Sequence, residues 1–182
     1  ITDSTPTAIL FSAGNGDGIF AIATSGAVTI ADVTNLDYET TASYTLTIVA
    51  YDASSSDVAD ITITITNAND APTVATAISD ASTNEDALYS LDISSNFADA
   101  DSADTLSYAA TGMPTTLTMS TAGVMSGTPV DADVGTYNII VTATDDAGTP
   151  ASVADTFVLT VANTNDAPAV SSTAVTAATE DS

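Results

Sequence analysis

Carboxylates are the only charged side chains this sequence offers. It holds 24 aspartates and glutamates and no lysine, arginine or histidine, for a formal charge of −24 over 182 residues. None of these acids can pair with a base of its own chain. Each must be solvated, accept a neutral hydrogen bond, be protonated, or meet a cation from outside. Grouped carboxylates support one chemistry above others: a hard divalent cation such as calcium takes roughly six to eight oxygens from carboxylates, amide and backbone carbonyls, and water. Catalysis lacks its usual parts. There is no histidine base, cysteine nucleophile, lysine for a Schiff base or arginine for an anion. Paired carboxylates can hydrolyse glycosides, but these acids stand at repeat ends with no evident cleft, so an enzyme is not expected.

The acids are grouped rather than scattered. "NANDAP" at 67–72 returns as "NTNDAP" at 163–168, each time after an apolar, β-branched run. In the first copy Asn69 and Asp70 offer side-chain oxygens beside the Ala68 and Ala71 carbonyls, on backbone that Pro72 restricts. "LDYE" supplies Asp37 and Glu39, "DADSAD" supplies Asp99 and Asp101, and Asp145 closes a strand. Tracing the strands from end to end brings these clusters to one joint between successive repeats. Unneutralised they would repel, and a divalent cation removes that cost. An acidic surface serving only solubility would scatter its charges instead. "AGNGDG" (13–18) is read as a tight turn.

The elements that must position these acids are strands. Tyr44, Leu46, Ile48 and Ala50 alternate with polar or small residues, and so do Ile61, Ile63 and Ile65 with three threonines. Tyr137, Ile139, Val141 and Ala143 repeat the pattern, as do Phe157, Leu159 and Val161. A period of two puts one face in a core and the other in water. Tyr44, Phe97, Tyr137 and Phe157 are expected in cores, with Met113, Met119 and Met125 filling gaps. Turn clusters at 14–18, 120–123 and 145–150 separate the strands, and no stretch has a helical period. The expected fold is all-β, as tandem antiparallel β-sandwiches.

Repetition sets the domain plan. Tyr44 matches Tyr137 and Asp52 matches Asp145 at one offset. Asn67 then matches Asn163, and Asp70 matches Asp166, at an offset three residues longer. The extra residues fall in the turn "DDAGTPAS", where insertion is cheap. The expected boundaries are 1–71, a repeat lacking its first strands; 72–167, a complete repeat; and 168–182, the opening strand of a further one. Both ends read as cuts through a longer array. Cysteine is absent, so disulfides are excluded. No apolar run reaches membrane-spanning length, and the charge disfavours nucleic acid and anionic lipid as partners.

These segments resemble cadherin repeats. The resemblance lies in "FAIATSGAVTI", "LDYE", "YTLTIVAYD" and the N-D-A-P linker. The second repeat ("FADADSADTLSYAATGMPTTLTMSTAGVMSGTPVDADVGTYNIIVTATD") is similar to the dystroglycan-type cadherin-like variant found in bacterial surface adhesins. The resemblance implies Ig-like, cadherin-like sandwiches that bind Ca²⁺ at their joints. Mapped by motif, the first joint uses Asp37, Glu39, Asn69, Asp70, Asp99, Asp101 and Asp145. Asn67 stands where animal cadherins often carry an acid, which weakens the site. At the second joint Glu85 matches the family's first-strand glutamate, and Asn165 and Asp166 repeat the linker. "VDADVG" replaces the D-x-E motif there, leaving Asp131 or Asp133 as the substitute, with Asp133 preferred. Asp52, matching Asp145, is expected to face an upstream joint.

The function implied is an extender: a secreted, extracellular segment of a cell-surface adhesin or filament, stiffened by calcium against neighbouring repeats. The alternative is a module that binds a cell-surface carbohydrate or protein. A narrower one is a fibre of head-to-tail copies, in which 168–182 of one chain adds a strand to the next.

Overall fold

The computed structural model describes residues 6–168. The chain folds as two compact units: one runs to Asp70 and takes in Ala100–Ser102, the other comprises Ala71–Asp99 and continues from Ala103. Apart from Pro168, the expected strand in 168–182 lies outside the described residues. Every regular element among the described residues that is longer than a single 3₁₀ turn is a strand. Among the described residues no helix is long and apolar enough to cross a membrane.

The second unit contains β6 (Thr73–Val74), β7 (Ala81–Asn84), β8 (Tyr89–Asp92), β9 (Phe97–Ala98), β10 (Ser107–Thr111), β11 (Leu117–Met119), β12 (Val124–Gly127), β13 (Gly135–Thr144) and β14 (Ser152–Ala162), preceded in the first unit by β1 to β5. One sheet has the order β10-β13-β14-β7, a second has β11-β12-β8, and β6 and β9 form a short two-stranded ladder. Register explains the core. Ile139 lies directly opposite Phe157, and Tyr137 opposite Leu159, so the alternating apolar residues of both strands share a face. Ile139, Val141, Ala143 and Leu159 are fully buried, and Phe157 nearly so. Leu117, Met125, Tyr89, Ile93, Phe97 and Tyr108 join the same core. Burying each large side chain contributes ~1.5–3 kcal/mol before the entropy of ordering it.

One pairing is parallel: Leu159 to Ala162 of β14 run alongside Ala81 to Asn84 of β7. Two carboxylates extend that seam, with Val158 N donating to Asp80 (2.8 Å) and Ile78 N donating to Asp155 (2.7 Å). The chain then crosses from one sheet to the other between β7 and β8. This turn carries Glu85, followed by Asp86 at φ +57°, a conformation short polar residues tolerate best.

The first unit contains β1 (Ala8–Ala13), β2 (Phe20–Ile22), β3 (Val28–Ile30), β4 (Ser43–Tyr51) and β5 (Ser56–Thr64). It has a β1-β4-β5 sheet and a β2-β3 hairpin. Its core is small: Ile19, Phe20 and Leu46, with Tyr44, Ile61 and Ile63 packed against them. Phe20 meets Tyr44 edge-on at 5.1 Å. Among the described residues no strand pairs with the second edge of β5. Ile61 and Ile63 are half-buried against this small core, where their equivalents Phe157 and Leu159 are enclosed by the larger one. The alternation expected in β4 is only partly realised. Leu46 is buried, but Ile48 and Ala50 are half-covered. Val49, on the opposite face, is buried between Leu10 and Val58, its direct neighbours on either side.

The repeats share one close crossing. Gly112, after β10, has φ +79°, and a Cβ there would overlap the Asn138 carbonyl oxygen of β13. Gly14, after β1, has φ +84° and meets the Thr45 carbonyl of β4 in the same way.

Candidate metal centre

Glu85 leaves the end of β7 into the sheet-crossing turn, and only 1% of its surface is exposed. Its Oε1 accepts hydrogen bonds from Asn163 Nδ2 (2.6 Å) and Thr164 N (2.7 Å). Its Oε2 is buried and accepts none. Carboxylate oxygens of Glu85, Asp131 and Asp166 lie within 4.8 Å of one another. Asp166 comes from the second hexapeptide and Asp131 from a single 3₁₀ turn, Asp131–Asp133. The Glu85 charge, followed by burial and by Asp86 and Asp131, pushes the Asp166 carboxyl above its usual range. A buried orphan oxygen inside such a group has a direct physical account, because a cation fits both the acceptor and the repulsion. The donors are all hard oxygens, which suits calcium or magnesium better than the metals that favour nitrogen and sulfur.

The 3₁₀ turn decides which of its two acids faces the group. Asp133 turns inward, where Thr116 Oγ1 (2.6 Å), Val130 N (3.2 Å), Thr115 N and Thr115 Oγ1 (both 3.3 Å) donate to it. It is Asp131, rather than the preferred Asp133, that joins Glu85 and Asp166. Asn165 is exposed, its amide donating to the Asp166 carbonyl at 3.3 Å.

Asp133 has its own consequence. The Thr116 hydroxyl first, and then the Val130 and Thr115 donors, hold its carboxyl below the usual carboxylate range. A lowered folded-state pKa supplies stability above the unfolded value, and that stability is lost as pH falls through the folded value. Melted in chelator across an acidic series, the wild type is expected to lose more Tm on acidification than Asp133→Asn. Parallel curves would show that Asp133 carries no such linkage.

In the first unit Asp101 plays the buried part. Its Oδ1 accepts from Asn67 Nδ2 (2.6 Å) and its Oδ2 from Asp70 N (2.7 Å). The Asn67 amide, then the Asp70 backbone, hold its carboxyl low. Glu39 is pushed upward, by desolvation first and then by Asp101 and Asp70. Glu39, Asp70 and Asp101 thus share one electrostatic neighbourhood. Asp37 organises the turn that presents Glu39: Glu39 N and Thr40 N donate to its Oδ1 (2.9 and 3.3 Å), and Thr40 Oγ1 to its Oδ2 (2.8 Å). Asn69 is exposed in the linker.

Two more expected ligands belong to the second unit. Asp99 is half-buried after β9. Asp145 is buried at the end of β13, and Ala151 N donates to both of its oxygens at 3.1 Å. Asp52, its counterpart in the first unit, gathers Ser54 N (2.8 Å) and Ser55 N (2.6 Å) on Oδ1. Both therefore close the turn between two long strands. Asn67 and Asn163, absent from the expected ligand set, hold the buried acid in their respective units. Their matching positions in the two hexapeptides were the available signal.

Comparison with known proteins agrees with this architecture. The chain resembles the crystal structure of mouse cadherin-23 repeats EC22–24, with a TM-score of 0.67 and 22% identity over 86% of this chain and 53% of that one. It thus spans about half of that fragment. Human protocadherin-24 EC1–2 aligns with a TM-score of 0.69 and 19% identity, covering 90% of this chain and 85% of that one. Drosophila N-cadherin EC1–4 gives 0.64 and 27%, covering 85% and 40%. No curated protein sequence matches. A family model described as "Putative Ig domain" matches residues 71–162. That span holds both larger sheets, the sheet-crossing turn and the parallel seam of the second unit, and the chain belongs to this Ig-domain family.

Proposed function

We propose that this chain is a calcium-stiffened structural segment of a secreted cell-surface adhesin or extracellular filament, its repeats acting as spacers. The observation that carries the reading is the buried, unsatisfied Oε2 of Glu85 grouped with Asp131 and Asp166 within 4.8 Å. These three carboxylates, with backbone and Asn165 oxygens of the hexapeptide, would hold the ion. Calcium would supply the positive charge that the sequence does not encode. The same chemistry is proposed within the first unit, with Glu39, Asp70, Asp101 and Asn69 as donors and Asp37 shaping the turn, while Asp99 and Asp145 keep the ligand roles that the cadherin resemblance implies. Asp52 would serve a preceding joint. The cadherin-like fold of the solved relatives supports an adhesion-related structural role, and the absence of basic residues and scarcity of aromatic ones favour a spacer over a recognition module.

An ion that binds only the folded joint stabilises it by mass action. A free concentration a hundredfold above Kd is worth about 2.7 kcal/mol. Calcium is therefore expected to raise Tm, chelator to reverse the gain, and small-angle scattering to show a longer maximum dimension with calcium bound. An unchanged Tm together with an unchanged maximum dimension would refute the proposal. Extracellular modules commonly work at Kd ~10⁻⁴–10⁻³ M, so the titration should reach millimolar calcium.

A further inference from the structure

Resting on that calcium reading, we propose that Asn163, and Asn67 in the other repeat, are positioning residues that hold a buried acid in the absence of metal and thereby set calcium affinity lower than an acid at the same place would.

Each asparagine is the first residue of its hexapeptide. Each donates its amide at 2.6 Å to a buried carboxylate, Glu85 in one unit and Asp101 in the other. In both cases a backbone N–H from the same hexapeptide completes the grip at 2.7 Å, from Thr164 and from Asp70. The two carboxylates are 1% and 4% exposed. The first-position asparagine thus holds a buried acid in both hexapeptides, although the acid and the backbone donor differ: Glu85 lies upstream and is met by Thr164, Asp101 lies downstream and is met by Asp70. Solvation of a generic acidic surface does not account for that recurrence.

The amide does what a cation would otherwise do for that oxygen. A charge-assisted N–H donor satisfies one lone-pair direction of an anion that water barely reaches. In the second unit both donors fall on Oε1, so Oε2 is the acceptor left for the ion. An aspartate at 163 would put an anionic oxygen where the amide nitrogen now sits, 2.6 Å from Oε1. Without metal, that is a fourth mutually repelling carboxylate. With calcium, it is a further charged ligand, and charge count is a principal lever on calcium affinity. The asparagine therefore favours integrity of the empty joint over tightness of the filled one.

The experiment compares the full chain with Asn163→Asp and Asn163→Ala, melting each in chelator and titrating each with calcium alone by calorimetry. Asn163→Asp is expected to melt earlier in chelator yet to bind calcium about tenfold more tightly. Asn163→Ala is expected to bind more weakly, since it loses the grip and gains no ligand. A role confined to stability would lower Tm in both variants and tighten binding in neither. Asn67→Asp repeats the test in the other repeat should Asn163→Asp not fold. Calcium uptake by the wild type with no tightening in either aspartate variant overturns the inference alone. Absence of uptake by the wild type sinks the calcium reading beneath it as well.

Discussion

Glu85→Gln should reverse the sign of its effect on stability when calcium is added. In chelator the exchange removes the charge that most strongly raises the Asp166 carboxyl. It keeps an Oε1 to accept from Asn163 and Thr164, and it offers an N–H to oxygens that now only repel. Tm should hold or rise. With calcium the same exchange deletes the buried anionic ligand. The second-joint affinity should fall by about a hundredfold, equivalent to about 2.7 kcal/mol. Melting curves for both proteins in chelator and in millimolar calcium are expected to cross over. Equal destabilisation under both conditions would mean that Glu85 is a structural acid and the cation reading is wrong.

The largest loss of stability is expected from Gly112→Ala. The residue sits at φ +79°, where an L side chain costs roughly 1–2 kcal/mol from backbone sterics alone. Its new methyl would also overlap the Asn138 carbonyl, on a strand held between β10 and β14. Backbone cannot swing aside as a side-chain tip can, so the total should reach about 3 kcal/mol or more. Gly148→Ala is the matched control. Its Cβ would meet nothing within 4 Å, and the effect should stay within about 0.5 kcal/mol. Urea unfolding of the three proteins decides the matter, and coincident midpoints for Gly112→Ala and wild type would rule the account out.

Much of this was legible in the residues. The alternation through Tyr137–Ala143 and Phe157–Val161 located two long strands because each partner is encoded nearby and pairs in simple register. The match between Tyr44 and Tyr137 located their counterparts. Val49 was not legible, because its burial comes from Leu10 and Val58 lying directly opposite, a property of register rather than of period. Neither was the choice between Asp131 and Asp133. On a strand, residues two apart share a face, but a 3₁₀ turn has about three residues per turn, so the two acids diverge. The pairing of β7 was also hidden, since "ASTN" has no apolar run to announce a strand. Its place is set by the turn at Glu85 and by the grips of Asp80 and Asp155. Asn67 read as a weakened copy of an acid, and Asn163 only as its match. Only the side-chain geometry shows what their amides hold.

The parallel seam has a mechanical consequence. The second unit is entered before β7 and left after β14, and those two strands run side by side in the same direction. Once the two-residue β6–β9 ladder has yielded, tension drawn through the two ends pulls β7 backward and β14 forward, so the strands must slide past each other. Their hydrogen bonds, with the Asp80 and Asp155 links in line, are then loaded together in shear rather than opened singly like a zip. The second unit is wired to resist a pull along its length.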